Sequence, residues 1–320
     1  MTAVLAVDLG KTGCRAALWT EDAQAPILSR AGVGAPGLAA ADGVDASCAA
    51  VVEVCASLLR DAGGTSVPVV CVGAAGASTA RPAARELGER LLGALPIGEV
   101  AVCSDSITSH AGALGAGPGV VLAAGTGSVA IGLSRSGQLV RVDGWGPVLG
   151  DGGSGGWIGV AGLRAALRSY DGRGPDTGLR QAAVSMFGEL DRLPGAMGDN
   201  PARVAARFVP EVARLCAAGD AVAFRIMRAA AEALAEAVIT AGRRLGEPVI
   251  PVAITGGLAE VGPALLDPLS RALAAAGAGL RLQRALGGSL DGARLLASRH
   301  DTAHERYLER AGGAGRTAVR

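Results

Sequence analysis

Short apolar runs that end in glycine or an acidic residue alternate along this chain with longer stretches of helical spacing. VLAVDL enters a glycine turn and leaves it as CRAALW, which predicts strands over 3–8 and 14–19, with a third at 26–31. GVGAPGLAAADG (32–43) is a loop by its glycine and proline content. Val44, Cys48, Val51, Val52, Cys55, Leu58 and Leu59 fall on one helical face, so 44–61 is a predicted helix. A buried strand follows at 67–76, then a helix over 82–95 with arginines and glutamates on one face. EVAVCSD is a strand that ends in Ser104 and Asp105, and SITSHAGAL returns to helical spacing. GVVLAAGTGSVAIGL (119–133) reads as two strands around Gly125-Thr126-Gly127-Ser128, repeating the plan of residues 3–19. The repeat suggests two related lobes facing each other.

GWGPVLGDGGSGGWIGVAG (144–162) is a glycine-rich loop leading into a helix, and helical spacing persists from 157 to 246, clearest over 220–244. VIPVAITGGLAE (249–260) is a strand ending in Gly256-Gly257. A helix at 262–275, a strand at 279–284 and a last helix over 291–309 close the pattern, and the AGGAGRTAVR tail is expected to be disordered.

Composition narrows the picture. The 320 residues suffice for two domains, and half are apolar while aromatics make up 2%, so the core must be Ala, Val and Leu. With 50 glycines, a single glycine says little. Thirty basic against 29 acidic side chains leave a net charge of +1, which offers no electrostatic case for nucleic acid or an anionic membrane. The six cysteines form no C-x-x-C pair and have no metal-ligand spacing, as expected of reduced, mostly buried thiols in a cytoplasmic protein. The N-terminus enters a strand directly, with no signal-peptide pattern. The uncharged run 111–134 is long enough for a bilayer but is broken by GAGPG and GTGS.

Candidate chemistry gathers at the turns. Lys11 is the chain's only lysine, against 29 arginines, and it stands in a glycine turn with Asp8, Gly10, Thr12 and Arg15 close by. Such a turn suits terminal phosphates and their Mg²⁺, and suits a plain hairpin equally well. Asp105 can be a helix cap or a general base. Thr126 and Ser128 could donate hydroxyls to a phosphate that bare glycine lets approach, or simply sit in a turn. Asp151, in a glycine-rich loop with Trp145 and Trp157 nearby, can accept bonds from sugar hydroxyls or cap a helix. Gly256 and Gly257 can be a tight turn or a face for a ligand. His300 and His304 stand i, i+4 on the predicted last helix and could hold a metal, although no carboxylate or cysteine motif supports that.

Taken in order, these segments resemble the BadF/BadG/BcrA/BcrD ATPase family of the actin-like sugar-kinase superfamily. The resemblance is carried by DLGKTGCRAAL, VCSDSITSHAGALGAGPGVVLAAGTGSVAIG, GWGPVLGDGGSGGWIG, AAGDAVAFRIMRAAAEALA, ITGGLAE and LGGSLDGARLLA. It implies an α/β protein with a two-lobed actin-like (ribonuclease H-like) fold, each lobe a mixed sheet with flanking helices. The expected lobes are 1–104 and 105–290, with a C-terminal helix at 291–311 returning to the first lobe and a tail at 312–320. It further implies ATP with Mg²⁺ between the lobes, a small-molecule sugar acceptor, phosphotransfer to a hexosamine hydroxyl, and a homodimer as a common assembly. By position, Asp8 would hold Mg²⁺ mostly through water. Gly10, Lys11 and Thr12 would contact the phosphates with Arg15 in support. Gly125, Thr126, Gly127 and Ser128 would cradle them from the second lobe. Asp105 would be the base facing the sugar 6-hydroxyl, Trp145, Gly146 and Asp151 would line the sugar, and Gly256 and Gly257 would face adenosine.

Two departures fall on the sugar side. The family carries an acidic residue after the aspartate at 151, where this chain has Gly152, and the loop at 32–43 has no asparagine. N-acetylglucosamine, glucosamine, N-acetylmuramic acid and glucose stay open as acceptors. The family's iron–sulfur activators place cysteines after the second phosphate turn, and no cysteine lies between Cys103 and Cys216. The superfamily's repressors begin with a helix-turn-helix, whereas this sequence begins in the phosphate strand.

Overall fold

The computed structural model describes residues 3–313 apart from 21, 22, 24, 65, 66 and 278. The chain opens with β1 (Ala3–Leu9), β2 (Cys14–Thr20), β3 (Leu28–Gly32), α1 (Gly43–Asp61), β4 (Val67–Ala74), α2 (Arg81–Ala94), β5 (Ile97–Ser104) and α3 (Asp105–Leu114). Then come β6 (Gly119–Ala124), β7 (Ser128–Leu133), β8 (Leu139–Asp143), α4 (Gly155–Tyr170), α5 (Leu179–Phe187), α6 (Leu193–Ala196), α7 (Pro201–Ala206), α8 (Val209–Ala217) and α9 (Ala221–Leu245). β9 (Ile250–Thr255), α10 (Pro263–Ala275), β10 (Leu280–Gln283), α11 (Ser289–Ser298) and β11 (Glu309–Gly312) complete it.

Two compact units result, each a mixed sheet with flanking helices, in agreement with the expected architecture. The first comprises residues 1–117, 135–137 and 285–320. Its six strands run β11-β5-β4-β1-β2-β3, with β1, β4 and β5 parallel and β2, β3 and β11 antiparallel to their neighbours. Leu5, Val7 and Leu9 of β1 join α1 and α2 in one apolar core, and α11 packs on β1 and β4. The division differs from the expected 104/105 boundary because α3 crosses α11 at very short range. A Cβ on Gly292 would lie 1.8 Å from the Thr108 carbonyl oxygen, and one on Gly112 would lie 1.9 Å from that of Gly288. Only glycine at both positions lets the two backbones meet, so α3 is held by the first unit.

The last helix is shorter than its pattern suggests. It ends at Ser298, and β11 then pairs antiparallel with β5. Ion pairs fasten this short edge strand: Glu309 meets Arg81 at 2.6 Å and Arg85 at 3.0 Å, and Arg310 meets Glu99 at 2.6 Å and Glu305 at 2.7 Å. Four residues with two charges carry little strand signal, so tertiary pairing decides the strand. Residues 314–320 of the expected tail lie outside the described residues.

The second unit comprises 118–134 and 138–284. Its sheet runs β10-β9-β6-β7-β8, with β6, β9 and β10 parallel. The short strand β8, which the pattern does not predict, extends the β6–β7 hairpin. Ala223, Met227, Ala230, Leu234, Val238 and Ala241 form the buried stripe of α9, which packs on β7 and β8 and on helices α8 and α10. Asp220 caps α9 by accepting bonds from the Val222 and Ala223 amides, both at 2.9 Å. The same carboxylate takes the Thr177 hydroxyl and the Gly178 amide, both at 2.8 Å, which ties α5 to α9. Burial acts to raise the Asp220 pKa, but these four donors outweigh it and hold the carboxyl below its usual value.

Candidate active site

In the first unit the parallel strands β1, β4 and β5 end in register, with Asp8 opposite Gly73 and Gly73 opposite Cys103. The turn at 10–13 and Asp105 therefore emerge on the same carboxyl edge of the sheet, where open α/β sheets bind ligands. The turn is closed by the Gly10 amide donating to the Gly13 carbonyl at 2.9 Å. Lys11 and Thr12 are exposed, and the Lys11 ammonium has no hydrogen bond or ion pair among the described residues. Asp8 is mostly buried and is already engaged: Arg15, its cross-strand neighbour, donates to Oδ2 at 2.5 Å. Arg15 thus serves Asp8 in this structure rather than standing free beside the turn.

Asp105 is not the cap of α3. Ser104 holds that position, its hydroxyl accepting from the Ser106 amide at 3.3 Å. Asp105 Oδ1 accepts from the same amide at 2.9 Å and from the Ser104 hydroxyl at 3.0 Å. Its Oδ2 has no partner among the described residues. One oxygen is oriented, and the other has no partner among the described residues and can accept a proton.

In the second unit, the turn between β6 and β7 is bonded to the start of α4. The Gly155 amide donates to the Gly125 carbonyl at 2.7 Å, and the Gly156 amide to the Thr126 carbonyl at 2.9 Å. A Cβ on Gly125 would meet nothing within 4 Å, so that side of the turn is open. Thr126 is exposed. Ser128 is buried and its hydroxyl donates to the Gly152 carbonyl at 3.0 Å. That bond engages its one proton in this structure and ties Ser128 to the following loop.

The loop after β8 is organised by Asp143, a residue outside the predicted site set. Its carboxylate accepts from the Asp151 amide at 2.8 Å and the Gly152 amide at 2.9 Å. Asp151 Oδ1 in turn accepts from the Gly146 amide at 3.1 Å. Gly127 abuts the Asp151 carboxylate so closely that a Cβ there would lie 2.6 Å from Oδ2. Gly146, Asp151 and the second glycine turn are therefore one cluster. Trp145 stands apart, 66% exposed, with the Arg141 guanidinium 4.9 Å from its ring centre. The one signal for Asp143 in the sequence is an acidic residue closing LVRVD just before GWG.

Gly256 and Gly257 divide their work. Gly256 has φ of +87°, and a Cβ there would lie 2.5 Å from the Ala124 carbonyl oxygen, so it lets β9 pass the end of β6. Gly257 borders a cavity of about 1060 Å³ whose wall includes Phe224, Arg228, Glu260 and Arg271. Phe224 is 52% exposed there. These side chains come from α9, α10 and the turn before α10, and no local motif announces them. A second cavity, of about 440 Å³, lies against Asp151, Trp157 and Arg164.

The histidines correct the helical-pair expectation. His304 lies beyond α11, and its Nε2 is 3.0 Å from Nδ1 of His110 on α3. Burial pushes the His304 pKa down to about 3, with His110 and Arg299 adding to the push, so His304 is neutral at pH 7. Among the described residues no group of three or more His, Cys, Asp or Glu side chains could hold a metal ion. No helix among them is long and apolar enough to cross a membrane.

An N-acetylmuramic acid/N-acetylglucosamine kinase of Clostridium acetobutylicum is 36% identical over 109 residues, 34% of this chain and 35% of that one. An N-acetyl-D-glucosamine kinase of Dictyostelium discoideum is 34% identical over 161 residues, 48% of this chain and 50% of that one. The chain thus spans half or less of the curated relatives it matches. A solved structure from Chromobacterium violaceum, named for N-acetylglucosamine kinase, superposes with a TM-score of 0.70 at 27% identity, covering 92% of this chain and 99% of that one. A glucokinase from Streptomyces griseus shares the fold, with a TM-score of 0.53 at 19% identity over 92% of this chain and 99% of that one. The sequence profile of the BadF/BadG/BcrA/BcrD ATPase family matches residues 5–272. Two glycine turns, an aspartate at the edge of the first sheet and a profile match over most of the chain make this protein a member of the BadF/BadG/BcrA/BcrD ATPase family.

Proposed function

We propose that this protein is an ATP-dependent hexosamine kinase that transfers the γ-phosphoryl group of ATP to a sugar hydroxyl. The observation that carries the reading is Asp105, with Oδ1 held by Ser104 and Ser106 and Oδ2 free, on the sheet edge that also bears the Lys11 turn. The kinase names of the similar proteins support it. Asp105 accepts the proton of the sugar 6-hydroxyl as that oxygen bonds to the γ-phosphorus, and the bond to the β-phosphate oxygen breaks to release ADP. Lys11, Thr12 and Thr126 offset charge on the transferring oxygens. Phe224 and Gly257 offer an aromatic ring and bare backbone to the adenine. Asp151 and Gly146 receive the sugar.

The residues fit Mg²⁺ held in the usual way of phosphotransfer sites, by one carboxylate, phosphate oxygens and water, rather than in an all-protein cage. Asp8 Oδ1 is the oxygen that Arg15 leaves available. Bound there, Mg²⁺ supplies charge neutralisation on the phosphates. The six free cysteines suit a reducing, cytoplasmic setting. A coupled ADP-release assay tests the reading with N-acetylglucosamine, glucosamine, N-acetylmuramic acid, glucose and a no-sugar control. Release that depends on an amino sugar supports it, and release equal to the no-sugar control sinks it.

A further inference from the structure

A cavity of about 440 Å³ lies beside the second glycine turn. One wall is a single stripe of α4, with Trp157, Val160, Ala161 and Arg164 at i, i+3, i+4 and i+7. Its near end touches the second glycine turn, because Gly156 donates to Thr126 and Asp151 abuts Gly127. Arg164 stands about 10 Å farther along the helix axis than Trp157. Its guanidinium has no hydrogen bond or ion pair among the described residues. Asp199 also lines the cavity, yet no ion pair joins it to Arg164. Trp157 is 37% exposed and offers a ring face to the apolar side of a sugar. The cavity therefore carries, in order away from the phosphate turn, a hydroxyl acceptor, an aromatic face and an uncommitted planar cation.

We infer that Arg164 selects a hexosamine bearing a carboxylate substituent, which the guanidinium receives at the far end of the cavity. The inference rests on the kinase reading above and names the acceptor of that site. Arginine suits the task because its planar fork pairs two nitrogen donors with the two oxygens of a carboxylate. A neutral hexosamine would fill the near end and leave Arg164 in water.

The test compares N-acetylmuramic acid, whose lactyl ether carries a carboxylate, with N-acetylglucosamine by coupled ADP release. The native protein should show kcat/KM for the acidic sugar at least equal to that for the neutral one. In Arg164→Met the ratio of acidic to neutral kcat/KM should fall about tenfold or more, as loss of a charge-assisted pair predicts. Arg164→Lys should restore part of it. A ratio that both variants leave unmoved overturns the inference, as does a native protein that phosphorylates N-acetylglucosamine alone. Asp199→Asn supplies the competing outcome. If it lowers the melting temperature as much as Arg164→Met, with no further loss in the double variant, Arg164 serves an internal ion pair and the inference fails. Failure of both sugars together would instead strike the kinase reading.

Discussion

Asp105→Asn is the substitution that bears most directly on the proposed chemistry. Asparagine keeps an oxygen at the Oδ1 position, so the bonds from the Ser106 amide at 2.9 Å and the Ser104 hydroxyl at 3.0 Å can both survive. The change falls on the free Oδ2, which becomes an NH₂ group that donates and cannot take a proton. Loss of a general base costs about 10²–10⁴ in rate, or roughly 3–5 kcal/mol of barrier. The structural cost is small by comparison. Removing one negative charge from the first turn of a helix costs about 0.3–1 kcal/mol, a shift of about 2–4 °C at most in a chain of this size. Coupled ADP release at saturating ATP and sugar measures the first effect, and calorimetric melting the second. ATP affinity, read by titration calorimetry, should stay within about twofold, since the Lys11 turn is untouched. A variant turning over within about threefold of the native rate would refute the base assignment, because no intact base can lose its acceptor oxygen so cheaply.

Three further substitutions test the rest of the argument. Lys11→Met should lower kcat/KM for ATP by about ten- to a hundredfold, the worth of a charge-assisted bond. Its melting temperature should not move, because the ammonium has no partner among the described residues; unchanged kinetics would make the lone lysine incidental. Gly292→Ala forces a methyl group toward the Thr108 carbonyl at 1.8 Å. It should cost about 1–3 kcal/mol by overpacking and lower kcat as α3 shifts; a calorimetric melting temperature equal to the native one would show that the crossing is looser. Asp220→Asn should cost about 1 kcal/mol at neutral pH through the weakened cap. The native Asp220 carboxyl is held below the usual aspartate value of 3.8, so its contribution is full above that value and lost as pH falls through the depressed one. Urea midpoints from pH 7 to pH 3 should therefore fall less steeply in the variant, and parallel curves would contradict the shift.

Local chemistry made the two hairpins legible. In β1–β2 and β6–β7, apolar runs flank short glycine turns, and strand alternation with turn residues is information carried within about twenty positions. The same holds for α9, whose stripe of Ala, Met, Leu and Val repeats at helical spacing behind the Asp220 cap. Lys11 stood out by composition, and Asp105 by its place between an apolar run and a helix. What the sequence could not decide was which of two roles a polar residue would take. Asp105 and a cap are indistinguishable until Ser104 is seen to hold the cap, and Ser128 resembles Thr126 until its hydroxyl is placed 3.0 Å from the Gly152 carbonyl oxygen.

The rest came from contacts between distant positions. Asp143 matters because β8 ends where it meets the amides of Asp151 and Gly152. The pattern that extended the last helix to 309 put His300 and His304 together, whereas packing ends α11 at Ser298 and buries His304 against His110, nearly two hundred residues away. β11 exists because Glu309 and Arg310 find partners on α2 and β5. Arg164 and Phe224 became candidates only when helices from separate stretches enclosed cavities around them. The sequence by itself determined the turns, the strands that hold them and the charges they present, since those depend on neighbours along the chain. The tertiary structure decided which oxygen stays free, which proton is spent and which side chains face a cavity, because each depends on what the fold brings alongside.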